Sequence, residues 1–357
     1  MTQNLSSIET LTPADLGWTN TQQTQLSLDE FSETTPVRVV AVHRSGLDVL
    51  AAGASPDHPT RGVPWPDEGE PTVGDWLLVE REGARPIRLL DRTSLIRRRA
   101  PGTDRRIQLI AANVDTLFVV TSCNRDFNIA RLERYLAVAQ DAGATPVIVL
   151  TKSDLADETG AYVDEARSLV AGLMVETVDA RDPASVAVLE PWCGRGQTVA
   201  LVGSSGVGKT TLTNTLMGDG HLATAGIRED DAKGRHTTTG REMHRLVTGG
   251  WVIDTPGMRE LQLVDAEAGL AEVFADVTEL AASCRFNDCS HSGEPGCAVT
   301  AAIERGDVDP ARLKRYRKLV AEDLRNSQSI HEARARDKQF GKIVKSIVAA
   351  KDRRRGR

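Results

Sequence analysis

Gly203-Ser204-Ser205-Gly206-Val207-Gly208-Lys209-Thr210 is the stretch on which the reading of this chain turns. An apolar run, Val199-Ala200-Leu201-Val202, precedes it, and a helix-like segment, Thr211-Leu212-Thr213-Asn214-Thr215-Leu216-Met217, follows. Strand, G-x-x-x-x-G-K-[ST] loop and helix in that order form a phosphate-binding P-loop. The glycines let the backbone curl so that successive N–H groups converge on phosphate oxygens. The helix N-terminus adds free donors and partial positive charge. Residues Gly203 through Thr211 are therefore candidate nucleotide contacts. Lys209 is placed to reach the β/γ-phosphates, and the Thr210 hydroxyl is placed to ligate Mg²⁺. The plainer alternative is a Gly-rich turn that happens to carry Lys-Thr, and the flanking strand and helix weigh against it.

Upstream, residues 108–155 alternate between strand and helix patterns. Val114–Val120 reads as a buried strand, Ile129–Ala142 as a helix with Leu132, Tyr135, Leu136 and Val138 roughly on one face, and Pro146–Leu150 as the next strand. Such alternation predicts a parallel sheet with crossover helices. At the carboxyl end of that strand, where α/β sheets bind ligands, sits Thr151-Lys152-Ser153-Asp154. The tetrapeptide matches [NT]-K-x-D, the base-reading motif of GTPases. Its Asp carboxylate accepts two hydrogen bonds from guanine N1–H and N2–H₂, donors that adenine lacks. The Lys152 stem can pack over the base and brace the P-loop. The segment Val175–Ala180 stands where GTPases carry an "S-A" loop, but Asp179 replaces the usual Ser, so only Ala180 is retained as a guanine contact.

Downstream come Gly234-Arg235-His236-Thr237-Thr238-Thr239 and then Trp251-Val252-Ile253 running into Asp254-Thr255-Pro256-Gly257. D-x-x-G after a buried strand is a γ-phosphate sensor: Asp254 holds Mg²⁺ through water and the Gly257 N–H meets the phosphate. The Thr-rich loop is switch I, in which Thr237 or Thr238 coordinates Mg²⁺. Met258 follows the sensor, where Ras-like enzymes place a water-orienting Gln, and a thioether cannot do that work. His236 is the nearest polar substitute, or else packs the loop. His236, Lys209 and Thr238 form the candidate catalytic set. The order is base loop, "S-A" loop, P-loop, switch I, sensor, which is a circular permutation. A pocket depends on where strands lie in a sheet, so the chemistry survives it.

The remaining chain frames this core. At 357 residues, two or three domains are expected. Residues 1–35 are a polar, partly ordered leader. Short β-type runs at Val37–Val42, Leu47–Leu50, Val73–Glu80 and Ile87–Leu90 predict a small antiparallel barrel over 36–100, with an OB-fold as the natural guess. Aromatics are sparse there, so a nucleic-acid surface and a plain scaffold stay open together. Arg97-Arg98-Arg99 and Arg105-Arg106 make a basic connector into a GTPase domain over 101–265.

Of five cysteines, Cys284, Cys289 and Cys297 cluster with His291 in a C-x₄-C-x-H-x₅-C pattern. Three thiolates and one imidazole predict a closed tetrahedral site, most plausibly structural Zn²⁺, in a helical domain over 266–325. Helical spacing of Leu313, Tyr316, Leu319, Val320 and Leu324 follows. Residues 311–357 hold 16 Lys/Arg against 5 Asp/Glu, dividing the net charge of −6 into +11 there and −17 over residues 1–310. A basic extension over 326–357 on an acidic body points to a polyanion such as nucleic acid, or to an ordinary solvated helix face. The start, Met1–Ser7, has neither a basic nor an apolar signal region, and no apolar run approaches the ~18 residues that span a bilayer. A cytoplasmic protein is expected.

The permuted order, G-R-H-T-T-T, D-T-P-G and the C-x₄-C-x-H-x₅-C cluster together resemble the bacterial ribosome small-subunit-dependent GTPase A family. Val73-Gly74-Asp75-Trp76 in the barrel and Ala111-Ala112-Asn113-Val114-Asp115 ahead of the α/β core extend the resemblance from about residue 35 to 325. It implies an OB-fold, a permuted GTPase domain and a zinc domain that grip the 30S subunit and its 16S rRNA late in maturation. It also implies GTP hydrolysis stimulated by the subunit, with His236 involved, in a monomer. A GTP-gated RNA-binding module with incidental turnover, and a free-standing nucleotide hydrolase or kinase, are the competing classes.

Overall fold

The computed structural model describes residues 10–82, 85–99, 107–218, 241–254 and 261–327. Two compact units emerge: Met1–Ile96 with Leu109–Leu261, and Arg97–Gln108 with Gln262–Arg357. In the first unit, the N-terminal strands are β1 (Thr34–His43), β2 (Gly46–Ala51), β3 (Thr60–Val63), β4 (Trp76–Glu80) and β5 (Pro86–Leu89). Next, β6 (Leu95–Arg99) and β7 (Ile107–Ala112) pair with each other. The strands β8 (Thr116–Ser122), β9 (Thr145–Thr151), β10 (Met174–Thr177), β11 (Thr198–Val202), β12 (Arg241–Arg245) and β13 (Trp251–Asp254) complete the set.

The α/β core runs β10-β9-β8-β11-β13-β12. Its first five strands are mutually parallel, and only β12 is antiparallel to its neighbour. Each central strand is an unbroken apolar run because both faces are covered: β8 and β11 are buried at every position. The helix Ile129–Ala142 carries β8 across to β9. It starts where the Asn128 side chain accepts the Arg131 N–H and stops at Gly143 in the left-handed conformation. The order in which strands are added reverses between the parallel pair β8 and β11, one leading outward to β9 and the other to β13. Such a switch point is where open α/β sheets bind ligands, at the carboxyl ends of the strands.

The N-terminal strands form an antiparallel run β3-β2-β1-β4-β5 over an apolar face of Val37, Val39, Leu47, Val49, Val63, Leu77 and Val79. This run is not a free-standing module. The first half of β1 pairs with β4, and beyond a bulge at Val39/Ala41 the same edge pairs with β12 through Ala41–Glu242 and Val42–Arg241. The expected leader also differs from its sequence reading. From Thr10 it is built into the unit, with Leu11 and Leu16 buried and the ring of Trp18 edge-on to Trp76 at 4.8 Å. Two capping boxes, Thr19/Gln22 and Ser27/Glu30, start its short helices.

Arg38 joins these parts from inside. It is 1 % exposed, and its guanidinium donates to the carbonyls of Leu16 (2.6 Å), Gly74 (3.0 Å) and Asn113 (3.0 Å) and to Thr198 Oγ1 (3.1 Å). Burial brings its pKa down to about 10, so it stays charged at neutral pH. Gly74, at φ +90°, lets this crossing happen: a Cβ there would sit 2.1 Å from the Ala112 carbonyl.

The second unit is helical, with helices Glu267–Val273, Ala275–Ala281, Ala298–Arg305 and one over 310–327. Phe274 is wholly buried against Tyr316, and Arg312 lies over its ring at 4.8 Å while pairing with Asp276 at 2.6 Å. Along 310–327, Leu313 and Leu319 are buried, but Leu324 is 54 % exposed, against its place in the helical pattern. Its neighbour Asp323 turns inward instead, because its carboxylate accepts the Ala266 N–H at 3.1 Å. Among the described residues no helix is long and apolar enough to cross a membrane.

Candidate functional site

The candidate nucleotide loops sit at the carboxyl ends of parallel strands of one sheet: Thr151–Asp154 at the end of β9, Asp179–Arg181 after β10, Gly203–Thr210 after β11 and Asp254 at the end of β13. The P-loop leaves β11 through Gly203, at φ +144°, where a Cβ would lie 2.2 Å from the Val120 carbonyl of β8. Only glycine lets the loop cross its neighbour that closely. The helix Lys209–Met217 then begins at Gly208 with no side-chain cap, so its first N–H groups are not taken by a capping side chain. Lys209 folds back along the loop, its Nζ donating to the carbonyl oxygens of Gly203 (2.7 Å) and Ser204.

Base loop and P-loop are stitched together. Thr151 is fully buried, and its Oγ1 stands within hydrogen-bonding reach of the Thr121 carbonyl (3.1 Å) and the Val207 carbonyl. One hydroxyl proton serves one of them at a time. In the sequence reading Lys152 braces the P-loop. In the structure Thr151 makes the direct bond, while Lys152 adopts a left-handed turn (φ +58°) that directs the chain into Ser153–Leu155. Ala180 is buried, and its carbonyl accepts from Thr215 Oγ1 at 2.6 Å, tying the loop after β10 to the P-loop helix.

Two arginines reach this cluster that no motif marks. Arg131, in the first turn of its helix, donates through Nη1 to Ser204 Oγ. Arg181 donates through Nη2 to Asp154 Oδ2 at 2.6 Å and through Nε to Asp179 Oδ1 at 3.2 Å. The backbone N–H of Arg181, then its guanidinium, hold Asp179 below the usual carboxylate range. Thr210 and Thr211 open the P-loop helix. His236, Thr237, Thr238 and Gly257 lie outside the described residues, and Asp254 is described only through its backbone, paired with Glu242.

The second candidate centre is in the helical unit. The donor atoms of Cys284, Cys289, His291 and Cys297 lie within 4.8 Å of one another. Cys284 Sγ and Cys297 Sγ are each 3.6 Å from His291 Nδ1, and 3.9 Å from each other. A tetrahedron with Zn–S of about 2.3 Å and Zn–N of about 2.05 Å has edges of about 3.8 Å (S–S) and about 3.6 Å (S–N). Cys284, His291 and Cys297 are therefore already spaced as zinc would require, and Cys289 lies within 4.8 Å of them as the fourth donor. His291 enters the cluster from a left-handed turn, φ +57°. Glu294 fixes that turn by accepting from the Ser290 (2.9 Å) and Ser292 (2.6 Å) backbone N–H groups. Cys297 caps the helix Ala298–Arg305, its Sγ accepting the Thr300 N–H at 3.3 Å. Burial opposes its ionisation, yet the Thr300 and His291 hydrogen bonds bring the thiol down to about 6, so it is ready as a thiolate ligand.

Comparisons with known proteins agree with this geometry. The RsgA GTPase family pattern matches residues 89–264. The small ribosomal subunit biogenesis GTPase RsgA 2 of Vibrio parahaemolyticus is 50% identical over 339 residues, spanning 95% of this chain and 93% of that protein. The small ribosomal subunit biogenesis GTPase RsgA of Mesorhizobium japonicum is 51% identical over 317 residues, spanning 88% and 90%. In fold, the chain is similar to YjeQ from Thermotoga maritima, with a TM-score of 0.59 at 24% identity over 82% of this chain and 99% of that one. It is also similar to YloQ, described as a circularly permuted GTPase, with a TM-score of 0.56 at 24% identity over 81% and 94%. With half its residues shared along nearly the whole length of such relatives, the chain belongs to the RsgA GTPase family.

Proposed function

We propose that this protein hydrolyses GTP to GDP and phosphate while bound to the small ribosomal subunit, and acts in the subunit's late maturation in the cytoplasm. The observation that carries the reading is the contact of Thr151 Oγ1 with the Val207 carbonyl, which holds the base loop against the P-loop. The named activity of relatives about half identical to the chain supports it.

Within that pocket each residue has a part. Asp154 accepts the guanine N1–H and N2–H₂ donors, the Lys152 stem covers the base, and Ser153 and Ala180 offer backbone groups at its edge. The N–H groups from Ser204 to Thr211 surround the phosphates. Lys209 exchanges the Gly203 and Ser204 carbonyls for phosphate oxygens, which turns a self-contained loop into a charged cradle. The hydroxyls of Thr210 and of Thr237 or Thr238, with the Asp254 carboxylate acting through water, are hard oxygen donors suited to Mg²⁺, which when bound neutralises phosphate charge. The Gly257 N–H senses the γ-phosphate. Because Met258 cannot orient water, His236 takes that part, and hydrolysis is slow until the subunit is bound. One structural Zn²⁺ on Cys284, Cys289, His291 and Cys297 holds the helical unit. We read β1–β5 as the OB-type element, and we read it and the basic end each as an rRNA contact of a monomer.

The test is the GTP hydrolysis rate of the purified protein alone, with 30S subunits and with 50S subunits. A large rise with 30S only is expected, and His236→Ala should remove it without abolishing GTP binding. A rate equal or fast without subunits would sink the reading and favour a free-standing hydrolase. Subunit binding that depends on GTP with no rate increase would favour a GTP-gated RNA-binding module.

A further inference from the structure

Asp179 stands where nucleotide-binding relatives of this loop type place a serine, and nothing in the proposed hydrolysis uses it. The structure gives it a partner. Its Oδ1 accepts the backbone N–H of Arg181 (3.0 Å) and Arg181 Nε (3.2 Å), and its Oδ2 lies 3.4 Å from Arg181 Nη2. The same Nη2 donates to Asp154 Oδ2 at 2.6 Å. One guanidinium thus spans the two carboxylates on either side of the base site. The Asp154 side chain is 25% exposed and that of Arg181 67% exposed, so the bridge is open to solvent and to exchange.

The chemistry of the bridge is specific. Guanine presents its Watson–Crick edge to an Asp as N–H donors on nitrogens that share one carbon, which is itself a guanidine unit. The arginine head group is the same arrangement with a positive charge. From this geometry we infer that Arg181 is a tethered internal mimic of the guanine edge: it occupies Asp154 when no base is bound, and guanine must displace it to bind. Asp179 is the resting place onto which Arg181 retreats when guanine takes Asp154, so the displaced cation is never left unpaired. The inference rests on the reading of Asp154 as the guanine acceptor. Its consequence is regulatory: Arg181 weakens the grip on guanine nucleotides and assists their release, because it re-occupies Asp154 as the base leaves.

The magnitude follows from the exposure of the pair. An exposed ion pair competes weakly, so removing it tightens nucleotide binding by about 1.5- to 5-fold. The experiment uses the full-length protein and N-methylanthraniloyl-GDP, followed by fluorescence titration and by stopped-flow dissociation, with the ADP analogue as comparison. In Arg181→Gln, the dissociation constant should fall by that factor and release should slow. Salt supplies a second readout that a merely structural residue would not move. The pair is screened at high ionic strength, so the ratio of wild-type to variant dissociation constants should shrink toward one between about 50 mM and 500 mM KCl. If the wild type does not prefer the GDP probe over the ADP probe, the base-loop reading fails and this inference falls with it. If that preference holds and Arg181→Gln binds GDP equally or more weakly at low salt, the inference alone is overturned, and Arg181 is instead neutral or a direct nucleotide contact.

Discussion

Replacing Arg38 by Met keeps a long unbranched side chain of similar length and removes the five N–H donors. Of the four acceptors it serves, the Gly74 carbonyl keeps a bond from Asn113 Nδ2 at 3.0 Å, and the Thr198 hydroxyl can rotate. The Leu16 and Asn113 carbonyls lose the donors that Arg38 gave them in a site where Arg38 itself is 1 % exposed. A buried polar group left without a partner costs about 1–3 kcal/mol, so Arg38→Met should cost about 2–6 kcal/mol. Removing the buried cation also relieves its own desolvation, which places the expected value toward the lower half of that range. All five tryptophans, at 18, 65, 76, 192 and 251, fall in the unit that contains Arg38. Urea unfolding followed by tryptophan fluorescence therefore reports this unit alone. The expected result is a lower midpoint with little change in the denaturant dependence. A loss below about 1 kcal/mol would refute the reasoning, because it would mean that water or backbone adjustment satisfies those carbonyls without the guanidinium.

Two further outcomes follow from the same contacts. Cys289→Ser, or prolonged dialysis against a chelator, should lower zinc content from about one per chain and abolish the helical signal of the second unit, while the tryptophan-detected transition persists. Structural zinc contributes on the order of 10 kcal/mol, more than most domains have to spare. Acid should release the N-terminal segment before the core. The Arg195 side chain holds Asp15 well below the usual carboxylate range, and Arg88 holds Glu30 at about 2. A depressed folded-state pKa means that the stabilisation is complete above the unfolded value near ~4 and is lost as pH falls toward the folded value. Tryptophan emission, sensitive to the Trp18–Trp76 contact, should therefore change between about pH 4 and pH 2, and Arg88→Gln should shift that change to higher pH.

What could be read in the sequence was what is local along the chain. The base-type loop, the P-loop and Asp254 each follow or end an apolar strand, so motif and strand identified each other, and the carboxyl-end placement followed from parallel-sheet rules. The candidate metal donors fall within fourteen consecutive residues, Cys284–Cys297, where spacing alone constrains geometry. What escaped is non-local. The β1–β12 pairing joins residues about 200 apart and leaves no mark in either strand. Arg38 looks like the polar position of an alternating strand, and only the three-dimensional meeting of Leu16, Asn113 and Thr198 buries it. Leu11, Leu16 and Trp18 have no helical or strand period, so an anchored segment read as a leader. Arg181 carries no motif, and its importance comes from standing across from Asp154.

The seams of the first unit carry a cost in time. Strand β1 ends at His43 and its partner β12 begins at Arg241. Trp251 Nε1 donates to the Asp15 carbonyl at 2.7 Å, and Arg195 grips the Asp15 carboxylate. At about 5–20 residues per second of synthesis, roughly 10–40 s separate the emergence of β1 from that of β12. Throughout that interval the outer half of β1 lacks its β12 partner, and Asp15 lacks Arg195 and Trp251. Strands β1–β5 must therefore hold together on the ribosome that is making them until β12 arrives. Asp15, among the first residues made, is among the last to gain its full set of partners.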